Sequence, residues 1–321
     1  MNPRPEFQIE VGGRKVTLGA RTLIMGVLNV TPDSFSDGGR YFDPAHAVQR
    51  GLELARQGAD WIDVGGESTR PGAQPVSAEE ELRRVLLVIR GLRRKLHDVP
   101  ISIDTTKAEV AEQALLAGAS ILNDVSGLRF EPHLAEVARR HHAPLILMHL
   151  RGRPETMQQR PFAGDIWRSL ASGFETSIRR ALAAGVRRSQ LILDPGLGFG
   201  KSRRQNYEIL AGLERLRRFH LPLLIGASRK SFVQAIVAGE GLDLMPAHRQ
   251  GVRYRPIAAM HGGESERGRR TSKQNSDLLL TGDAAAVVVA ILGGAHIVRV
   301  HDPGTILPAV RVADALLAAL R

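Results

Sequence analysis

The sequence predicts an α/β fold: a (β/α)8 barrel of the TIM type preceded by an N-terminal β-hairpin. Three observations predict it. Eight short β-rich runs alternate with helical stretches, the rhythm of parallel strands joined by helical crossovers. Polar and charged residues gather just after those runs, as they do where a barrel presents its strand ends at one rim. The length suits as well. The chain has 321 residues, 43% of them hydrophobic, and a single barrel takes about 250. One domain is expected over residues 1–321, carrying a basic insertion at about 240–280.

The elements follow in order. Phe7 to Val11 and Arg14 to Leu18 alternate apolar and polar residues around Gly12-Gly13, a pair suited to a tight primed turn. The eight runs after this hairpin are Thr22–Leu28, Trp61–Val64, Ile101–Ile103, Ile121–Leu122, Leu145–Met148, Leu191–Leu193, Leu223–Ile225 and Ile297–Val300. Pro44 opens a first helix. Ser77 caps a second, with Glu80 as its capping-box partner. Further helices are expected to begin near Lys107, Pro132, Trp167, Gln205, Ser231 and Asp283, the last of these residues acting as a cap, and a final one spans Ile306 to Leu320. Trp61 and Trp167 read as packing residues. The stretch from Ser231 to Thr281 is longer than one helix needs. Residues 248–273 within it hold seven Lys/Arg against two Glu, and their Gly, Ser and Arg content reads as a solvated loop.

Composition removes several function classes. The chain has no cysteine, so disulfides and thiolate metal sites are excluded and a cytoplasmic setting is expected. No apolar run reaches membrane-spanning length, and Met1 to Glu10 do not form a secretory signal. The net charge of +11 suits anionic small molecules or polyanions. No basic motif interleaved with aromatics is present, so no nucleic-acid partner is expected. Gly196 to Ser202 contains Gly-Lys-Ser, but a nucleotide-binding P-loop requires glycine where this chain has Pro195.

The chemistry collects at the strand ends: Asn29, Gly65 to Gly72, Asp104, Asn123-Asp124, His149, Asp194 to Lys201, Ser228 to Ser231 and Arg299 to Asp302. In a barrel all of these face one mouth. Asp104, Asn123 and Asp194 would suit a flat heterocycle with N–H donors beside a carbonyl, because a carboxylate facing an N–C–N edge makes two parallel hydrogen bonds. Arg70, Arg229, Lys230, Arg299 and His301 supply positive charge for phosphate or carboxylate oxygens. Asn29 with Asp37 could hold a hard divalent ion ligated mostly by water. Asp63 and Glu67 are expected to hold backbone N–H groups, His149 to pack beneath the pocket, and Lys201 and Asp302 to be structural.

Read together, these segments resemble the dihydropteroate synthases. Met25 to Gly39, with Asn-Val-Thr-Pro-Asp-Ser-Phe-Ser-Asp-Gly-Gly at its end, is similar to the family's first signature. Asp63-Val-Gly-Gly-Glu-Ser-Thr-Arg-Pro-Gly72 is similar to its second. Asp104 to Lys107, Asn123-Asp124, Met148-His149, Asp194 to Phe199, Ser228 to Lys230 and Arg299 to Asp302 follow in family order. The resemblance spans about residues 5–235 and 280–320. Arg151 departs from it, standing where a residue such as Gln is more usual.

The resemblance implies an enzyme of folate biosynthesis. It would be a transferase that condenses 6-hydroxymethyl-7,8-dihydropterin pyrophosphate with p-aminobenzoate and is a target of sulfonamides. It implies that Asp104, Asn123, Asp194 and Lys230 line a pterin pocket, and that Arg70, Arg299 and His301 bind the pyrophosphate. Asn29 would bear on a Mg2+ cofactor. Phe35, Pro71, Phe199 and Ser231 would surround p-aminobenzoate, with Asp37 and Thr69 also among the binding positions. Asp104, Asp194, Lys230, Arg299 and His301 are then the catalytic set, acting by charge stabilisation without a nucleophilic side chain. A homodimer is implied through helices of the late half of the barrel. Two other readings stay open. A methyltetrahydrofolate:corrinoid methyltransferase relative would need no pyrophosphate site, whereas Arg299 and His301 are both here. A non-catalytic pterin binder would have lost loop residues such as Phe35 and Arg70.

Overall fold

The computed structural model describes residues 4–31, 43–69, 72–157, 159, 164–238 and 272–320. Its elements run β1 (Phe7–Val11), β2 (Arg14–Leu18), β3 (Leu23–Asn29), α1 (Pro44–Arg56), β4 (Trp61–Gly65), α2 (Ala78–Arg93), β5 (Ile101–Asp104), α3 (Ala108–Leu116), β6 (Ile121–Asp124) and α4 (Leu134–Arg140). They continue with β7 (Leu145–Met148), α5 (Ile166–Ala183), β8 (Leu191–Asp194), α6 (Arg203–Ala211), β9 (Leu224–Ile225), α7 (Ser231–Val237), α8 (Ser272–Leu292), β10 (Ile297–Val300) and α9 (Pro303–Ala318).

β1 and β2 pair antiparallel, with Val11 opposite Arg14. Gly12 and Gly13 turn at φ 55° and 77°, the two left-handed residues that a primed hairpin turn requires. The other eight strands form one parallel sheet in the order β8-β7-β6-β5-β4-β3-β10-β9. A parallel bridge between Leu193 and Leu223 joins its two ends. This is the barrel that the sequence predicts.

Two apolar layers hold it. Outward-facing residues such as Ile24, Leu28, Ile62, Val64 and Ile103 pack against the ring of helices. Inward-facing Leu23, Met25, Trp61, Ile146, Ile192 and Ile297 fill the lower interior, and Ile9, Val11 and Leu18 of the hairpin close it from below. The polar mouth therefore rests on a packed floor. Trp61 lies in that floor, and Trp167 is half-buried against α6 and its neighbours, as expected of packing residues.

Some helix boundaries and caps differ from expectation. Ser77 caps α2 by accepting from the Glu80 backbone N at 3.2 Å. The Glu80 carboxylate does not complete a capping box; it turns to Arg83 and Arg84, each at 2.8 Å, because guanidinium groups one turn on offer charge-assisted bonds. α8 begins at Ser272, not near Asp283, so the last part of the expected insertion is helical backbone. Gly282 does not break this helix. A Cβ there would stand 2.6 Å from Val237 Cγ2 and 3.1 Å from Val233 Cγ1, so the glycine lets α8 approach α7. α9 begins at Pro303, where a missing N–H costs nothing. The remainder of the basic insertion, residues 239–271, lies outside the described residues. Among the described residues, no helix is long and apolar enough to cross a membrane.

Candidate active site

Strand register builds the site. Asn29 stands opposite Gly65, Gly65 opposite Asp104, and Asp104 opposite Asn123. Four neighbouring strand ends thus form one row at the mouth. Gly65 adds no side chain to it. A Cβ at Gly65 would lie 3.8 Å from Asp104 Oδ2 and 3.9 Å from Asn29 Oδ1, so these oxygens flank an open position. Across the barrel Asp194 ends β8, opposite Met148.

Arg299 ties the row together. Its Nε donates to Asp63 Oδ2 at 2.6 Å and its Nη2 to Asp104 Oδ2 at 2.8 Å. Asn123 Nδ2 donates to the same Asp63 oxygen at 2.9 Å. Asp63 therefore holds two side chains, not the backbone N–H groups expected of it. The reason is parity: on β4 it lies two residues from both Trp61 and Gly65 and so shares their inward face. Its Oδ1 is buried with no partner among the described residues, so one acceptor remains open to a further N–H.

Burial sets the electrostatics. It pushes the Asp104 carboxyl up to about 8; Arg299 opposes the push, while the charges of Asp63, Glu81 and Asp124 add to it. Asp194 is raised by burial against the pull of the Gly196 N–H, which reaches its Oδ1 at 2.7 Å. Burial lowers the Lys230 ammonium to about 8, and Arg299 lowers it further. Lys230 Nζ sits 4.2 Å from the centroid of the Phe199 ring, a cation–π contact. Asn123, Asp194, Phe199, Lys230 and Arg299 line one narrow pocket.

At the rim, His301 Nδ1 meets Ser228 Oγ at 3.3 Å, and Arg50 donates to the His301 carbonyl at 3.2 Å. Asp302 pairs with Arg229 at 2.7 Å, the structural role expected of it. Asp283 does not cap a helix. It lies about three turns inside α8, buried, and accepts from Ser228 Oγ at 2.9 Å and from the Arg229 backbone N at 2.9 and 3.0 Å. Sequence reasoning missed both Asp63 and Asp283. The period-two parity of β4 could have found the first; nothing local marks the second.

The remaining residues divide clearly. Lys201 is structural, donating to the carbonyls of His149, Gly196 and Phe199 at 2.9, 2.8 and 3.1 Å. His149 packs beside Phe174 with ring centroids 6.1 Å apart, and burial lowers it to about 3. Glu67 pairs with Lys107, which also meets the buried Glu81 at 2.6 Å; again the partner is a side chain, not the expected backbone N–H. Thr69 joins Asp104, Thr105 and Lys107 around a cavity of about 330 Å3 beside the pocket. Ser231 is the exposed first residue of α7. Arg151 lines a second, open cavity with Arg129 and His149. Phe35, Asp37, Arg70 and Pro71 lie outside the described residues.

A barrel mouth with buried acidic acceptors, one bracing arginine and a basic rim defines a binder of flat, anion-bearing heterocycles. The family described as pterin binding enzyme matches residues 25–301. The dihydropteroate synthase of Synechocystis sp. is 44% identical over 96% of this chain and 94% of its own length. That of Escherichia coli is 40% identical over 92% of each. Among solved structures, Yersinia pestis dihydropteroate synthase with a sulfonamide drug superposes with TM-score 0.79 at 37% identity, covering 98% of this chain and 100% of that one. The Xanthomonas albilineans enzyme in complex with 7,8-dihydropteroate does so with TM-score 0.75 at 34% identity, covering 97% and 99%. The chain belongs to the pterin-binding enzyme family, within its dihydropteroate synthases.

Proposed function

We propose that the chain condenses 6-hydroxymethyl-7,8-dihydropterin pyrophosphate with p-aminobenzoate, giving 7,8-dihydropteroate and pyrophosphate in folate biosynthesis. The observation that carries this reading is the row Asn29, Asp104 and Asn123 with Asp194 across the mouth, braced by Arg299 on Asp63 and Asp104. The buried carboxylates take the N–H groups of the pterin and favour positive charge on its exocyclic methylene as the C–O bond to pyrophosphate breaks. Arg299 and His301, with Arg70, receive the negative charge that moves onto the leaving group. The arylamine nitrogen then bonds to the methylene and loses a proton. Phe199, Lys230 and Ser231 edge the side from which it approaches, and the family resemblance assigns Phe35 and Pro71 to the same p-aminobenzoate site. A sulfonamide, as in the Yersinia pestis complex, would compete there.

The residues fit Mg2+. Asn29 Oδ1 is a hard amide oxygen flanking the open position at Gly65. Among the described residues, no three His, Cys, Asp or Glu gather as a full protein cage would require. That suits an ion completed by water and phosphate oxygens. Asn29 would hold it, and when bound it would offset pyrophosphate charge.

The working unit is a homodimer in the cytoplasm. α8 and α9 pack together and leave Val289, Val312 and Leu316 exposed, an apolar face that a second copy would cover. The test of function is direct: incubate the protein with both substrates and Mg2+ and follow pyrophosphate and dihydropteroate. Product requiring both substrates supports the reading; pterin binding without product overturns it in favour of a non-catalytic binder.

A further inference from the structure

Asp283 and Ser228 lie outside the set that touches substrate, yet their geometry constrains a residue within it. Ser228 Oγ has one proton and two lone pairs. Its closest polar partner is Asp283 Oδ2, at 2.9 Å. An ionised carboxylate has no proton to give, so the hydroxyl proton points to Asp283. The oxygen lone pairs are then left for His301, whose Nδ1 stands at 3.3 Å and whose backbone N stands at 3.5 Å. A lone pair can receive a bond only from a protonated nitrogen, so Nδ1 carries hydrogen. Ser228 and Asp283 are both buried, so no bulk water competes for these contacts.

The same carboxylate fixes the turn that carries the chain. Arg229 has φ 56°, a left-handed backbone that a side-chain-bearing residue rarely adopts. Both oxygens of Asp283 receive its N–H, at 2.9 and 3.0 Å. Lys230, which lines the pocket, is the next residue.

We propose that Asp283, through Ser228, is a positioning residue for His301: it holds the Nδ1–H form of the imidazole and favours the imidazolium that donates through Nε2 to the departing pyrophosphate. The proposal rests on the function given above. No covalent step is added. The proton on Nδ1 stays in its bond to Ser228 while the second proton, on Nε2, faces the developing negative charge. Three charged groups on neighbouring elements already have carboxylate partners among the described residues. Arg50 of α1 and Arg229 of the β9–α7 loop lie 3.8 and 2.7 Å from Asp302. Arg299 of β10 is held by Asp63 and Asp104. Asp283 of α8 is the carboxylate that reaches the ring through a hydroxyl.

The test begins with the ligand-free protein, so it does not depend on turnover. Long-range 15N–1H spectra of labelled wild-type, Asp283→Asn and Ser228→Ala protein are followed against pH. Wild type should show the Nδ1–H form of His301 at high pH. Its protonation midpoint should fall by about one pH unit in Asp283→Asn, with recovery in Asp283→Glu. In turnover, the alkaline limb of kcat should move down by the same amount, while thermal melting checks that each variant is folded. Ser228→Ala keeps Asp283 and breaks the chain, so it should reproduce the midpoint shift even if Asp283→Asn folds poorly. An Nε2–H form in wild type, or midpoints that coincide in wild type and Ser228→Ala, overturns the proposal. Absent turnover with the expected spectra would instead count against the function on which it rests.

Discussion

Asp63 shows how one residue can decide a site that it does not face alone. It is fully buried and takes Arg299 at 2.6 Å and Asn123 at 2.9 Å through one oxygen. Changing it to Asn leaves the Arg299 charge half-neutralised in a poorly solvated place. Breaking a buried pair from one side costs several kcal/mol. We predict that Asp63→Asn loses about 3 kcal/mol of stability, seen as a lower urea midpoint with the slope of the transition unchanged. In the proposed function Asp104 and Arg299 act on the ligand directly. Asp104→Ala and Arg299→Ala should each lower kcat/KM at least about 100-fold; full activity in both variants would sink the assignment of the pocket.

At the scale of elements, His296 joins three segments just before β10. Its Nδ1 accepts from the Leu223 backbone N at 3.0 Å, and its Nε2 donates to the Pro5 carbonyl at 3.0 Å. A ring used this way must be neutral, and burial lowers it to about 4. The sign follows. Below pH 6.5 the unfolded chain binds a proton that the folded chain refuses, so stability falls as pH drops from about 6.5 to about 4. The loss should reach roughly 3 kcal/mol at pH 4. Melting temperatures across that window should decline less steeply in His296→Gln, which keeps hydrogen-bonding capacity without titrating. An equal decline in both proteins would refute the role given to His296.

At the scale of the molecule, the barrel is sealed by its hairpin on one side and leaves an apolar face on the other flank. Val312 is 60% exposed and Leu316 48%, on a helix packed against α8. If a second copy covers that face, Val312→Glu should convert a dimer to a monomer in sedimentation velocity while leaving the barrel folded by circular dichroism. A monomeric wild type, or a variant that remains dimeric, contradicts the proposed assembly.

How much of this the sequence carried depends on the range of the interaction. The hairpin was legible because Gly12-Gly13 and the alternating flanks are local signals. The eight strands were legible because β-rich runs and helical stretches differ over a few residues. Several run one or two residues further than the expected β-rich runs, so Asn29, Asp104 and Asp194, expected at strand ends, are themselves strand residues. A polar residue at a strand end looks like a turn former until its register is known. Asp283 misled for a related reason: an Asp that caps a helix and an Asp buried inside one read alike in one dimension.

The sequence by itself determined the barrel class, the polar rim and the family signatures, because each depends on composition, period or order along the chain. The tertiary structure alone decided that Asp63 grips Arg299, 236 residues later in the chain, and that Asp283 in α8 holds Ser228, 55 residues before it. Those pairings depend on strand register and helix approach, and no local preference of either partner specifies them.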